Sequence, residues 1–211
     1  MSNEPPTDRS DFARWEQRFA VEDYVFGEAP NAFLARQKDR LPRTGRALAV
    51  ADGEGRNGVW LAERGLAVTA VDASPTAQAK ARRLAARRGV ELDFVLADLA
   101  RWTWPEQEFD VVAGIFIQFA GPVLRPRLFG AMRRALKPGG LLLLEGYRPE
   151  QRGYDTGGPR AVENLYTEAM LREAFAAMTI EKLESYDARL EEGLGHLGMS
   201  ALIDLIARAP G

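Results

Sequence analysis

The segment Asp52-Gly53-Glu54-Gly55-Arg56-Asn57-Gly58 has the residue types that bring a backbone close to a ligand. Gly53 and Gly55 carry no Cβ, and a helix predicted from Asn57 offers free N–H groups at its start. Asp72 follows about 20 residues later, the separation at which a carboxylate accepts hydrogen bonds from ribose hydroxyls. Ala73 lies beside it. Gly53 to Gly58 also fits the dinucleotide fingerprint, so nicotinamide chemistry competes. It is the weaker reading, because the chain after Glu145 is too short for a substrate domain and shows no Tyr/Lys or Ser/Tyr/Lys pairing for hydride transfer.

Other candidates are scattered. Asp98 and Leu99 follow a third apolar run and suit an adenine edge. Ile115 ends a fourth. Tyr147, Arg148 and Tyr154 follow a fifth, where a substrate would meet the reacting group. Trp15, Arg18, Tyr24 and Phe26 form an aromatic and basic segment that can serve as a lid, or simply as a helix packed on the core. His196 is the sole histidine. A lone histidine is more often structural, yet any imidazole-dependent proton step must use it. Lys80, Arg82, Arg83, Arg87 and Arg88 read as a solvated helix face.

Composition removes several classes. Of 211 residues none is Cys, which excludes disulfides, thiolate metal sites and a cysteine nucleophile. One histidine excludes a three-histidine metal site. Lys+Arg is 28 against Asp+Glu 30, so no global basic field holds a nucleic-acid backbone. No Asn-Pro-Pro-Tyr or Asp-Pro-Pro-Tyr follows the fourth strand, which argues against adenine-N6 methylation of DNA. No signal sequence opens the chain and no apolar run spans a bilayer, so the cytoplasm is the expected compartment.

The elements that must position these residues alternate. Short apolar strands are predicted at 46–51, 67–71, 92–96, 109–115 and 141–145, with two more near 180–187 and 200–207. Helices are predicted at 11–20, 33–40, 57–64, 75–88, 123–136 and 167–177. The order predicts one doubly wound, Rossmann-like α/β domain with a seven-stranded, mostly parallel sheet. The last connection is too short for a crossover, so the final strand should run antiparallel. It should return along the sheet edge and carry His196 toward the carboxyl ends of the other strands, where ligands bind.

The stretches RWEQRFAVEDYVFGEAPNAFL, ALAVADGEGRNGVWLAERGLAVTAVDAS, LKPGGLLLLEGY and TGGP resemble class I S-adenosylmethionine-dependent methyltransferases. The resemblance runs from about Trp15 to Arg208 and is nearest to small bacterial enzymes of the tellurite-resistance methyltransferase group. It implies S-adenosylmethionine as cofactor, S-adenosylhomocysteine as product and a small-molecule acceptor, a thiol or chalcogen oxyanion among them. It also implies a lid over residues 1–42 and a cofactor-binding domain over 43–211, in a monomer or homodimer acting on neither nucleic acid nor membrane. By resemblance Gly53 and Gly55 face the methionine moiety, Asn57 adjoins them, and Asp72 with Ala73 meets the ribose. Asp98 and Leu99 border the adenine, and Ile115 lines the pocket. Lid aromatics favour a sulfonium through cation–π attraction, and a histidine near the last strand serves the substrate site. One departure stands out. The family's acid before the glycines is here Ala49 and its first glycine is Ala51, so Asp52 is expected to supply the carboxylate for the methionine ammonium. A non-catalytic domain that binds the same cofactor for regulation is the alternative.

Overall fold

The computed structural model describes residues 9–154 and 156–211, the side chains of 9–11 excepted. The first eight residues, expected to be loose, lie outside the described ones. Two helices, α1 (Arg9–Phe19) and α2 (Ala32–Arg36), precede β1 (Arg46–Val50). Alternation follows through α3 (Arg56–Glu63), β2 (Ala67–Asp72), α4 (Pro75–Arg88), β3 (Asp93–Leu96) and β4 (Phe109–Ile115). Then come α5 (Leu124–Ala135), β5 (Leu136–Tyr147), α6 (Glu168–Ala174), β6 (Thr179–Glu192) and β7 (His196–Arg208).

The seven strands lie in the order β3-β2-β1-β4-β5-β7-β6. β1 to β5 pair in parallel, and β7 runs antiparallel to both neighbours. The expected fold is therefore present, with one correction: β7 is inserted between β5 and β6, and β6 forms the edge.

Strand periodicity explains the two cores, since alternate residues point to opposite faces. Leu48, Val50, Val112, Leu142 and Leu144 pack under Leu128, Phe129 and Met132 of α5 and Leu171 of α6. Ala47, Ala49, Val111, Ala113, Leu141 and Leu143 form the other face with Phe33, Leu34 and Leu61. Burying each leucine contributes about 1.5–3 kcal/mol.

Local chemistry sets the boundaries. The Asn31 side chain accepts from Leu34 N–H at 2.9 Å and so caps α2. The single helix predicted to Arg40 breaks at Gln37, whose amide turns back to Phe33 O, and a 3-10 turn follows over Lys38–Arg40. β5 begins earlier than expected because Leu136 pairs with Phe109 before Lys137 to Gly140 bulge out and Val111 pairs with Leu141.

The largest difference is in the last two strands. The β5–β7 ladder ends at Tyr147 opposite Leu202, but β6 and β7 stay paired to Glu192 opposite His196. From Leu202 to His196, at ~3.3 Å per residue, this arm rises ~20 Å beyond the sheet. Its polar sequence concealed it. An arm with no second layer on its outer side has no need of a continuous apolar run.

Among the described residues, no helix is long and apolar enough to cross a membrane.

Candidate active site

Register places the carboxyl ends of the strands side by side. Val50 lies opposite Val71 and Gly114, and Asp72 opposite Leu96, so Ala51, Asp72, Leu96 and Ile115 share one line. Ala51 adopts φ +50°, a left-handed conformation that costs an alanine about 1–2 kcal/mol. The backbone here keeps the shape of a glycine position without the glycine.

Gly53 donates its N–H to Asp72 Oδ2 at 2.8 Å, and Ser74 donates to Oδ1 at 2.8 Å. Burial pushes the Asp72 carboxyl up, opposed by these N–H groups and that of Ala73. A Cβ on Gly53 would point at the Phe19 ring 3.6 Å away, with nothing nearer, so the glycine leaves a cradle beneath that ring. Gly55 is required for a different reason. A Cβ there would lie 2.6 Å from the Cβ of Ala81, so this glycine lets α3 and α4 approach.

Asp52 and Asn57 also have local duties. Both Asp52 carboxylate oxygens lie 3.0–3.2 Å from Gly58 N–H, at the start of α3. Burial raises this carboxyl to about 7, with Gly58 opposing. A carboxylate so engaged caps the start of α3. Asn57 Oδ1 accepts from Asn31 N–H at 2.9 Å, tying α3 to the cap of α2. On the other side of the cleft the Asp98 carboxylate accepts from Ala100 N–H at 2.9 Å, and Leu99 is buried beside it.

Two segments roof the glycine turn. From the N-terminal side, Trp15 stacks on Phe19 at 5.5 Å and Phe26 packs against both. From the other side comes the β6–β7 arm. Its tip is docked by Gly195 N–H donating to Val25 O at 2.8 Å. Only glycine fits at 193, where a Cβ would lie 2.4 Å from Gly27 N.

His196 is buried where these segments meet the strand ends. Its ring lies 4.5 Å from Phe26, 4.3 Å from Phe116 and 5.9 Å from Tyr147. Its Nδ1 stands 3.6 Å from Glu192 Oε2, beyond hydrogen-bond reach. Burial lowers its pKa, Glu192 opposes this, and the Arg56 and Arg18 charges reinforce it. The imidazole is thus held neutral. Phe116, just past β4, adopts φ +55°, and backbone strain of this kind clusters at functional sites.

The structure brings Trp15, Arg18, Phe26, Tyr147 and His196 together and leaves two candidates elsewhere. Tyr24 donates its hydroxyl to Lys80 O at 2.9 Å and packs on Val59 and Leu84, as a strut to α4. Tyr154 donates to Asp187 at 2.8 Å on the outer surface. The basic face of α4 needs a correction as well. Lys80 is buried and paired with Glu54 at 2.7 Å, because α1 and the following loop cover it.

Five polar residues were missed. Arg56 pairs with Glu192 at 2.8 Å, both buried, and also donates to Phe26 O at 3.2 Å. Glu192 further accepts from Ala32 N–H at 2.8 Å and Asn31 Nδ2 at 3.2 Å. Asn31 Nδ2 also lies 2.5 Å from Glu145 Oε2. Glu145 faces Asp204 across the β5–β7 ladder, both 1% exposed. Two charged residues inside apolar strands were the available signal.

Burial and the facing Asp204 push the Glu145 carboxyl up, and burial raises Asp204 to about 6. Like charges this close cannot both ionise cheaply, so the pair holds a proton. A raised carboxyl gives stability that is present at low pH and lost as pH rises through the folded value. The melting temperature should therefore be higher at pH 5.5 than at pH 8.5. Asp204→Asn should shrink the difference, leaving what the burial of Glu145, Asp52 and Asp72 contributes. Melting curves across that range check this, and equal slopes in both proteins would mean that the pair is not the cause.

Residues 47–140 match the family model described as a methyltransferase domain. The demethylmenaquinone methyltransferase of Thermus thermophilus is 34% identical over 110 residues, covering 51% of this chain and 50% of that protein. The chain thus spans about half the length of this curated relative. A structure reported for the conversion of a disulfide bond into a thioacetal group during echinomycin biosynthesis has a TM-score of 0.75 at 22% identity, over 97% of this chain and 91% of that one. TehB from Haemophilus influenzae has a TM-score of 0.69 at 16% identity, over 85% and 62%. The structural likenesses establish the fold.

Proposed function

We propose that this chain, whose residues 47–140 match a methyltransferase-domain model, transfers a methyl group from S-adenosylmethionine to a small molecule. The observation that carries the reading is the turn at 51–55, pinned by Asp72 across the strand ends and roofed by aromatic rings. The open Cβ side of Gly53 fits the cofactor. Gly53 and the Asp72 edge would hold its methionine and ribose parts, with Ala73 alongside, and Asp98, Leu99 and Ile115 its adenine side. Residues up to 42 act as the lid.

The chemistry supplied by the bound cofactor is a methyl group on a sulfonium, with the thioether of S-adenosylhomocysteine as leaving group. The protein's share is orientation, worth several kcal/mol of the barrier. Phe26, Phe116 and Tyr147 exclude water, and their rings suit a cationic centre. His196, neutral in its buried position, accepts the acceptor's proton where one must leave. A thiolate or chalcogen anion needs no such base.

S-adenosylhomocysteine at ~100 times its dissociation constant should stabilise the protein by about 2.7 kcal/mol. NADH should not. Asp72→Ala should weaken binding by about 1.5–3 kcal/mol, the worth of charged hydrogen bonds, with the fold intact and unfolding still cooperative without ligand. Thermal shift and calorimetry test both, and a response to NADH alone would sink the reading.

A further inference from the structure

His196 and Glu192 are the last opposed pair of the β6–β7 ladder, where the side chains of directly opposite residues adjoin. Both side chains are 9% exposed. Three groups fix the carboxylate. Its Oε1 accepts from Ala32 N–H at 2.8 Å and Asn31 Nδ2 at 3.2 Å, and its Oε2 pairs with Arg56 at 2.8 Å. The imidazole is held by the rings of Phe26 and Phe116. Its Nδ1 is closed off without a hydrogen-bond partner, and Glu192 Oε2 is the acceptor beside it, at 3.6 Å.

A neutral imidazole carries a proton on one nitrogen and a lone pair on the other. A lone pair on Nδ1 would set two electron-rich atoms against each other in a site screened from water. A proton on Nδ1 instead meets a charge that Arg56, Asn31 and Ala32 hold in place. Away from bulk water that difference is large. The partner of one ring nitrogen thereby decides the task of the other.

We infer that Glu192 is the positioning residue of His196: it keeps the ring proton on Nδ1, leaves Nε2 as the base, and pairs with the imidazolium once formed. The inference rests on the methyl-transfer reading, with His196 as base, and adds the group that prepares the ring for that task. The acceptor's heteroatom gives an electron pair to the methyl carbon, and the electrons of the C–S bond stay on sulfur. The acceptor's proton passes to Nε2 and then to solvent. The 3.6 Å separation closes as the ring becomes charged, since catalytic hydrogen bonds tighten as the reaction proceeds. Among the described residues, the titratable and charged groups that face the ring come from four elements. Glu192 on β6 raises its pKa, Arg56 on α3 and Arg18 on α1 lower it, and Tyr147 on β5 stays un-ionised through burial. Of these, Glu192 alone favours the charged form.

The test is NMR on protein carrying nitrogen-15 histidine, in which the one imidazole of the chain gives one set of signals. The parent's neutral ring should be the Nδ1–H tautomer. On titration its Nδ1 proton should move downfield as the bond to Glu192 shortens, while Glu192, held at about 2, stays ionised. Arg56→Met with Glu192→Met removes both buried charges together, so neither is left unpaired. There the ring should revert mainly to Nε2–H, the form an unpartnered histidine prefers, and its pKa should fall further. Nε2–H in the parent overturns the inference, and so does a double variant with the parent's tautomer and titration; both leave methyl transfer standing. Should the double variant not fold, the parent's tautomer and the downfield movement decide alone. Thermal shift with S-adenosylhomocysteine on the same sample tests the underlying reading separately. A parent that does not bind it removes that reading, and the inference with it, even where the tautomer is Nδ1–H.

Discussion

His196→Ala should lower turnover ~10²–10⁴-fold with an acceptor that must lose a proton. With an acceptor already ionised at the assay pH the loss should be much smaller. The ring is enclosed by Phe26, Phe116 and Tyr147 and kept neutral by burial, so it begins the cycle ready to take a proton. The parent's rate should fall only as pH drops below the ordinary imidazole range of ~6.5, because the folded value is lowered. This acid limb should vanish in the variant. Rates over pH with both acceptor types provide the measurement. Equal losses with both, or a large fall in melting temperature alone, would make His196 a structural residue.

Arg56→Met should destabilise the fold by about 3–5 kcal/mol, because it leaves a buried carboxylate without its cation. Burial alone would raise Glu192, but His196, Arg56 and Ala32 N–H together hold it at about 2. A lowered carboxyl gives stability that is present above its unfolded value of ~4.3 and lost as pH falls toward the folded one. The deficit of Arg56→Met should therefore be largest near neutral pH and narrow in acid, as Glu192 protonates. Arg56→Met with Glu192→Gln should recover much of the loss, since removing both partners removes the unpaired charge. Urea titrations at pH 7 and pH 4 decide this. A double variant as weak as the single one would place the energy in the Arg56 stem packed under Phe26.

The sequence showed the parallel half of the sheet because its signals are local. Val68 to Val71 and Leu141 to Leu144 are apolar runs that only a doubly covered strand sustains, and Asp72 marks the end of one. The arm was invisible for the converse reason: its outer face meets water, as Leu194 and Leu197 do. The glycine turn was located, but the separate tasks within it were not. Gly55 depends on Ala81, and Asp52 on Gly58, contacts that require the α3–α4 packing to be known. Lys80 misled because a helix face counts as solvated until something covers it. Its cover comes from residues more than 50 positions away, Asp23 and Tyr24. His196 was singled out for its rarity, whereas the neighbouring Glu192 is one of 30 acids.

The length of the β6–β7 arm has a consequence for how its turn can vary. Side chains alternate along a strand, so His196 points inward while Leu197 points out. Deleting one residue between His196 and the sheet would turn the imidazole away from the strand ends. Deleting two from each strand would restore its direction but lower it by ~7 Å and pull Gly195 off Val25. Changes of length are therefore confined to the three residues between Glu192 and His196, and there Gly193 has no room to change. Variants with shortened arms should keep their sheet and lose their roof, so that the distance between chemistry and cover can be set by counting residues.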